Sequence, residues 1–406
     1  MNKITAYLFF FMASLSVSCA QEFKTENLKK HIETLASDAF EGRGSGTDGE
    51  EKAAVYIESQ FKKLKLKPLG DKNSYRQAFS FKGGTHGTGS EIKTKNIVGY
   101  LDNQAANTII IGAHFDHLGL GNDGSSLDAN PQGKVHNGAD DNASGVAAVL
   151  ELARYFQSNK VKEKSNILFI CFSGEEFGLH GSKYFAEHPT IKISKVNYMI
   201  NLDMVGRFEE AKGISVSGSG TSPVWETLLK NLSTDKMIIK TDSSGTGPSD
   251  HTSFYLKDIP VLHFFTGSHN DYHKPSDDAD KINYVGEVSV LKLIADVINA
   301  EVTQPKLAFL KTKSKSMGGT RSFKVAMGVM PSYSSSEDGL KVDGVSEGKP
   351  ARKAGILTGD LITQIGDYTV KDVQTYMDAL NKFEKGQTVP VKLKRGDKEL
   401  IINLTF

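Results

Sequence analysis

Cysteine is almost missing from this sequence, with two in 406 residues. Cys19 falls in an N-terminal apolar stretch. Once that stretch is set aside as a targeting segment, only Cys171 remains, and no disulfide can form within the rest of the chain. Cys171 sits in the apolar run NILFICF, a strand-core setting that keeps a thiol inert rather than nucleophilic. An excess of charge is missing too. Lys and Arg number 49 against 48 Asp and Glu, a formal net charge of +1, so no global field draws nucleic acid or an acidic membrane surface, and neither is expected as a partner. The apolar run that follows Lys3 is too short to span a bilayer well; with small residues after it, it has the layout of an export signal over residues 1–20. Cleavage after Ala20 and lipidation of Cys19 in the box LSVSC are both open. The protein is therefore expected to be exported, as a periplasmic, secreted or lipid-anchored form, with any membrane attachment through Cys19.

The chain is long for one domain and suits a large core plus a small one. After the signal come a helix, a Gly-rich loop (FEGRGSGTDGE) and an amphipathic helix from about Glu50 to Lys63. The runs NTIIIGAHFDH, SNILFICFSGEE, VNYMINLDMVG and IPVLHFFTG then alternate with helical segments such as GVAAVLELARYFQ. Strands rich in Ile, Val and Phe without clean alternation are buried on both faces, which predicts an α/β fold with a mostly parallel central sheet flanked by helices. This first domain spans 21–305, and the basic, pattern-poor stretch 306–322 reads as a linker. From Phe323 to Phe406 the core PAxxAGIxxGDxIxxIG, a helix and closing strands resemble a PDZ domain, a small β-rich unit. The resemblance makes Ala326 to Met330 its peptide-binding loop, where a tail adds a strand to a sheet edge; a spacer role is the alternative.

Polar residues collect where the apolar runs end. His114 and Asp116 follow IIIGA, Glu175 and Glu176 follow LFICFSG, and Asp203 follows YMINL. Ligands of open α/β sheets gather beyond the carboxyl ends of strands, and solvated surface acids would scatter instead. Asp140 and Asp141, in KVHNGADDNASGVAAV, add like charges at a helix start, where a capping role is the plain alternative. Such repulsion needs a cation. Imidazole and carboxylates without thiolates suit Zn²⁺ and other divalent first-row ions, and a shared carboxylate can bridge two of them. About three protein ligands per ion require a second imidazole, which HNDYHKPSDDADKI supplies as His269 or His273.

Six motifs in order, AHFDHLG, NGADDNASGVAAVLELAR, FSGEEFGLHGSKYF, NLDMVGR, PSDHTSF and DYHKPSDDADKI, resemble the dinuclear zinc exopeptidases of the secreted bacterial aminopeptidase type. That family also holds glutamate carboxypeptidase and the inactive transferrin receptor. The resemblance implies two zinc ions, with Mn or Co as substitutes. It makes His114 and Asp203 ligands of one ion, Glu176 and His273 ligands of the other, and Asp141 the bridge, followed by a cis peptide. It also makes Glu175 the general base and Asp116 the partner that fixes the His114 tautomer. Tyr272 takes the place of an oxyanion donor, with ordinary packing as the alternative. His117, His136, His251 and His269 are left as neighbours or pocket wall, and SDHTSF as a shaper of the substrate pocket. Arg43 reads equally as cleft rim or structural pair.

The expected function is removal of N-terminal residues from peptides. Carboxypeptidase action would need cations for a substrate carboxylate, of which only Arg207 and Arg43 are near the motifs. Glutaminyl cyclase chemistry uses one zinc. A catalytically dead scaffold with PDZ-mediated binding would be expected to lack ligands, and none is lost. The Gly/Asn/Asp-rich stretch 118–135 is expected to be a mobile loop by the cleft.

Overall fold

The computed structural model describes residues 22–406 except 84–89, 124, 160, 301–305, 313–324, 332–338, 346–347 and 372. The export-signal reading and Cys19 lie outside the described residues. Nine strands form the main sheet: β1 (Lys67–Pro68), β2 (Arg76–Lys82), β3 (Glu91–Leu101), β4 (Thr108–His114), β5 (Asn166–Phe172), β6 (Val196–Leu202), β7 (Ile214–Ser217), β8 (Ile239–Asp242) and β9 (Val261–Phe265). Their order is β1-β3-β5-β4-β6-β9-β7-β8, with β2 paired to β3. The middle four, β5-β4-β6-β9, are parallel, and antiparallel partners β3 and β7 flank them.

Every residue of β4, β5 and β6 is buried, because helices cover both faces of the sheet. On one face pack α1 (Thr25–Leu35), α2 (Asp48–Lys63), α3 (Gly145–Ser158), α5 (Trp225–Leu232) and α7 (Tyr284–Asn299), with Ile109, Ile111, Phe169 and Ile200 in the larger core. The other carries α4 (His180–Glu187) and α6 (His251–Tyr255), with Ile110, Leu168, Ile170 and Met199. Burying each such aliphatic side chain contributes about 1.5–3 kcal/mol, which sets the sheet as the rigid base of everything at its edge. The amphipathic helix α2 starts two residues earlier than its periodicity predicts. Thr47 caps it by accepting from the Glu50 N–H, and acids fill its first turn.

The C-terminal unit has a separate core built from Leu340, Val342, Ile356, Ile362, Val391 and Leu404. Its antiparallel sheet runs β10 (Val329–Pro331), β11 (Leu340–Val345), β12 (Leu361–Ile365), β14 (Thr388–Arg395) and β15 (Lys398–Thr405), with β13 (Tyr368–Thr369) on β12, and helices α8 (Pro350–Ala354) and α9 (Val373–Leu380). The segment expected to bind peptide ends in β10, an edge strand among the described residues. Residues 306–312, the start of the stretch read as a linker, pack on the first unit. Leu307 is buried and donates its N–H to Asn197, and the Leu310 N–H donates to Thr221 O. A stretch without periodicity can still be held when a few apolar residues find an existing surface.

Candidate active site

The four parallel strands end side by side, and each delivers polar groups to the same edge: Glu175 and Glu176 after β5, His114 at the end of β4, Asp203 after β6, and His273 in the loop after β9. Asp141 joins them from an irregular turn, Ala139–Ser144, that leads into α3, and its peptide bond to Asn142 is cis as expected. Small residues make the turn possible. Gly138 has φ +53°, and a Cβ there would lie 2.1 Å from Asp141 O; a Cβ on Gly145 would meet Leu202 O at 2.5 Å.

The two oxygens of Asp141 face different partners. Oδ1 lies 3.3 Å from His114 Nε2, which is 3.4 Å from Asp203 Oδ1. Oδ2 lies 3.3 Å from His273 Nε2, which is 3.1 Å from Glu176 Oε2. Both imidazoles have their other nitrogen at a carbonyl, His114 Nδ1 at Asp116 O (3.1 Å) and His273 Nδ1 at Ser125 O (3.1 Å). A carbonyl only accepts, so each Nδ1 donates, and in the neutral ring each Nε2 presents a lone pair to carboxylates. His273 Nε2 is buried with no hydrogen-bond partner among the described residues. Lone pairs and carboxylates face to face repel unless a cation lies between them. The spacings are close to the edge of a tetrahedron with bonds of roughly 2.1 Å, about 3.4 Å. The donor set therefore fits two divalent cations, one among His114, Asp141 and Asp203 and one among His273, Asp141 and Glu176.

Burial pushes the Glu175 carboxyl well above the usual carboxylate range; Glu176, Asp203 and Asp250 push the same way against the pull of His114. Glu176 goes the other way despite burial, drawn down to about 2 by His273 and His117. Glu175 lies within 4.8 Å of ligand atoms of His114 and Glu176. Two adjacent glutamates thus differ in proton affinity, as acid–base chemistry requires.

Asp116 is the partner of His114 Nδ1 as expected, and it acts through its carbonyl (3.1 Å), since its carboxylate is 3.8 Å away. The carboxylate instead accepts from Ser45 Oγ (2.8 Å) and from the Glu175 N–H (3.2 Å), holding Glu175 in place. Arg43 is corrected from both readings: it is not on the cleft rim and has no ion pair among the described residues. It is fully buried and donates to the carbonyls of Leu35, Phe115, Asn137 and Gly138, tying the loops that carry the site; burial draws its guanidinium down to about 10. Within the stretch 118–135, the Leu127 N–H donates to His273 O, and Ser126 Oγ meets His136 Nε2 at 2.7 Å. Tyr272 lines the cavity and stacks on His273, with centroids 3.9 Å apart.

Sequence reading placed His117 beside the site without a partner, and missed Asp277 and Asn201. His117 Nδ1 is 2.8 Å from Glu176 Oε1, which positions that carboxylate. Asp277 accepts the N–H groups of Asp140 and Asp141 through Oδ2 (2.9 and 3.0 Å) and Arg207 Nη2 through Oδ1 (2.6 Å), fixing Asp141 by its backbone. Its signal was present in HKPSDDADKI, but three acids there look alike in one dimension. Asn201, the penultimate residue of β6, bonds Ser249 and His263.

Comparison with known proteins places this arrangement. The model of Peptidase family M28 matches residues 96–298, half of the chain, and that of the PDZ domain matches residues 325–406. Aminopeptidase YwaD of Bacillus subtilis is 34% identical over 161 residues, 36% of this chain and 34% of its own length, so the chain spans about a third of that relative. A Zn-dependent exopeptidase of Parabacteroides distasonis shares the fold at TM-score 0.57 and 19% identity, covering 70% of this chain and all of its own. A glutaminyl cyclase of Bacteroides thetaiotaomicron does so at TM-score 0.57 and 21% identity, over 70% of this chain and all of its own. Fold alone therefore does not separate hydrolysis from cyclisation. The matched stretch takes in all four parallel strands and every member of the buried cluster, and on that footing the chain belongs to peptidase family M28 and carries a PDZ domain after it.

Proposed function

We propose that this protein is an exported aminopeptidase that holds two divalent cations, zinc by the chemistry of the donor set, and hydrolyses the N-terminal peptide bond of peptides. The observation that carries the reading is Asp141, whose oxygens are shared between two imidazole–carboxylate sets. A one-ion site would not require that division. When bound, such ions polarise a carbonyl and make water nucleophilic at neutral pH.

The chain's own groups do the rest. Glu175 accepts a proton from the water that adds to the scissile carbonyl carbon. As the C–N bond breaks it returns that proton to the departing nitrogen, leaving a carboxylate and a free amine. The Tyr272 hydroxyl is positioned by its ring stack to donate to the oxygen that gains charge. The acids at the strand ends favour a substrate with a free α-ammonium. No Lys or Arg lines the cavity among the described residues, and Arg207 is engaged by Asp271 (2.7 Å) and Asp277 (2.6 Å), so a substrate carboxylate lacks a holder. This favours amino- over carboxypeptidase action. The apolar stretch after Lys3 supports export, and the edge strand β10 supports capture of a peptide tail by the PDZ domain.

The test is a set of aminoacyl chromogenic amides with N-acetylated matches, assayed before and after chelation and with zinc restored, alongside a metal count. Two ions per chain and cleavage of free-amine substrates alone are expected, with Glu175→Gln slower by about 10³-fold. Equal cleavage of blocked substrates, or one ion with release of ammonia from N-terminal Gln, would overturn the reading.

A further inference from the structure

One wall of the cavity takes no part in holding cations or moving protons. Strands β7 and β9 pair antiparallel with Ser215 opposite Phe265 and Ser217 opposite His263. Alternation along the strands turns these four side chains toward the cavity, which they line, while Val216 and Phe264 are buried away from it. His251, the first residue of α6, completes the wall. It stacks on His263 with centroids 4.4 Å apart and planes within 8°. Both ring nitrogens of His251 are buried without a partner among the described residues, and its ring lines the same cavity.

A hydrogen-bond chain fixes what His263 offers. Asp203 accepts at Oδ2 from Ser249 Oγ at 2.7 Å, which uses the single hydroxyl proton of Ser249. Ser249 Oγ must then accept from Asn201 Nδ2, also 2.7 Å away, which sets the orientation of the amide. The same Nδ2 lies 3.1 Å from His263 Nδ1, so His263 Nδ1 accepts and the ring proton is on Nε2. That Nε2–H makes no bond within the described residues, and neither do the hydroxyls of Ser215 and Ser217. The wall thus presents one fixed donor and two hydroxyls that donate or accept, next to the Phe265 ring and with no Lys or Arg in the cavity lining.

We infer that this wall is the subsite for the first residue's side chain, and that it selects an uncharged polar side chain, a carboxamide before all others. The inference rests on the aminopeptidase reading above. A carboxamide gives its oxygen to His263 Nε2–H and its N–H groups to a serine oxygen. An aliphatic chain would bury those groups unpaired. A carboxylate would be desolvated without a cation, and an ammonium has no lone pair for the histidine donor. Gly247 keeps the approach to the stacked rings open, since a Cβ there would come within 2.9 Å of His251 Nε2.

The experiment measures kcat/KM of the full-length, metal-loaded protein on p-nitroanilides of Gln, Asn, Leu, Met, Glu and Lys, reading released amine and released ammonia separately. Gln and Asn are expected to exceed Leu by about tenfold or more. His263→Phe keeps the stacked ring and loses the donor, and Ser217→Ala serves should that variant fold poorly; either is expected to cut the Gln-to-Leu ratio by about tenfold. Leu or Met equal to or above Gln, or an unchanged ratio in both variants, overturns the subsite. No turnover of any free-amine substrate, or ammonia in place of amine from Gln, overturns the aminopeptidase reading on which it stands.

Discussion

Asp140 and Asp141 are covalent neighbours, both buried, and the chain treats them in opposite ways. Asp140 is supplied from within. Its Oδ1 accepts from the Gly206 N–H (2.8 Å) and Ser144 Oγ (3.1 Å), and its Oδ2 lies 3.1 Å from His269 Nε2 and 3.9 Å from Arg207 Nε. Asp141 has imidazole nitrogens at 3.3 Å on each side, each already committed through Nδ1 to a carbonyl. Buried carboxylates persist only when something positive or a set of donors compensates them. Where the protein supplies that compensation, as around Asp140, the acid is structural. Where it stops short, as around Asp141, the donor set fits a cation from outside. The division answers the question raised by crowding two acids at a helix start: one braces the turn and the other faces the cavity.

The sharpest way to break this comparison is to neutralise each neighbour in turn. Asp141→Asn is expected to lose metal on dialysis and to fall by about 10³-fold in kcat, the scale of removing a preorganised electrostatic group. Asp140→Asn is expected to keep both ions and to lose about tenfold, as for a group one bond removed from the ligands. Metal content and single-substrate kinetics on the two variants, side by side, check it, and equal losses would remove the distinction.

A second prediction concerns the cation that the chain does supply. Arg207→Met leaves Asp271 and the fully buried Asp277 without their partner, and is expected to cost about 3 kcal/mol in urea unfolding. Because Asp277 holds the backbone of Asp141, the variant is also expected to bind metal more weakly, by about 10-fold. Metal affinity intact in a destabilised Arg207→Met would uncouple the two clusters.

The smallest effect sharpens the contrast elsewhere. Glu287, on α7, is fully buried with neither oxygen partnered among the described residues, and burial, with Asp140 and Glu151 adding, pushes its carboxyl well above the ordinary 4.5. The folded chain then holds a proton that the unfolded chain releases, so this group's effect on stability worsens as pH rises from about 4.5 toward the folded value. Glu287→Gln is expected to stabilise at neutral pH by on the order of 1 kcal/mol, with the gain vanishing below pH of about 4.5. Thermal unfolding of both proteins across that range measures it; a gain that stays constant with pH would remove titration as its cause.

Much of this molecule was legible before any fold was drawn. Uninterrupted apolar runs such as TIIIGA and NILFICF announced strands buried on both faces, and the acids closing each run announced a shared sheet edge. Other features were hidden, each for a physical reason. Arg43 read as a possible pair because charge is visible in sequence, whereas the four carbonyls that hold it are backbone and carry no sequence mark. Asp116 was assigned to His114 as a residue, but that its carbonyl and not its carboxylate makes the contact is set by a two-residue turn. Residues 306–312 lacked periodicity, yet Leu307 found a buried site against the first unit.

By itself the sequence determined the α/β class, the identity of the residues that gather at the site and the presence of a second, β-rich unit. All three follow from local patterning, from the side-chain chemistry at the end of each run and from motif order. Only the tertiary structure decided that Asp277 and Arg207 brace the backbone of Asp141, that the Asp116 carbonyl meets His114, and that Ser215, Ser217, His251 and His263 share a wall. Those outcomes depend on strand order, register and ring tautomer, which are properties of distances between segments far apart in the chain and have no one-dimensional signature.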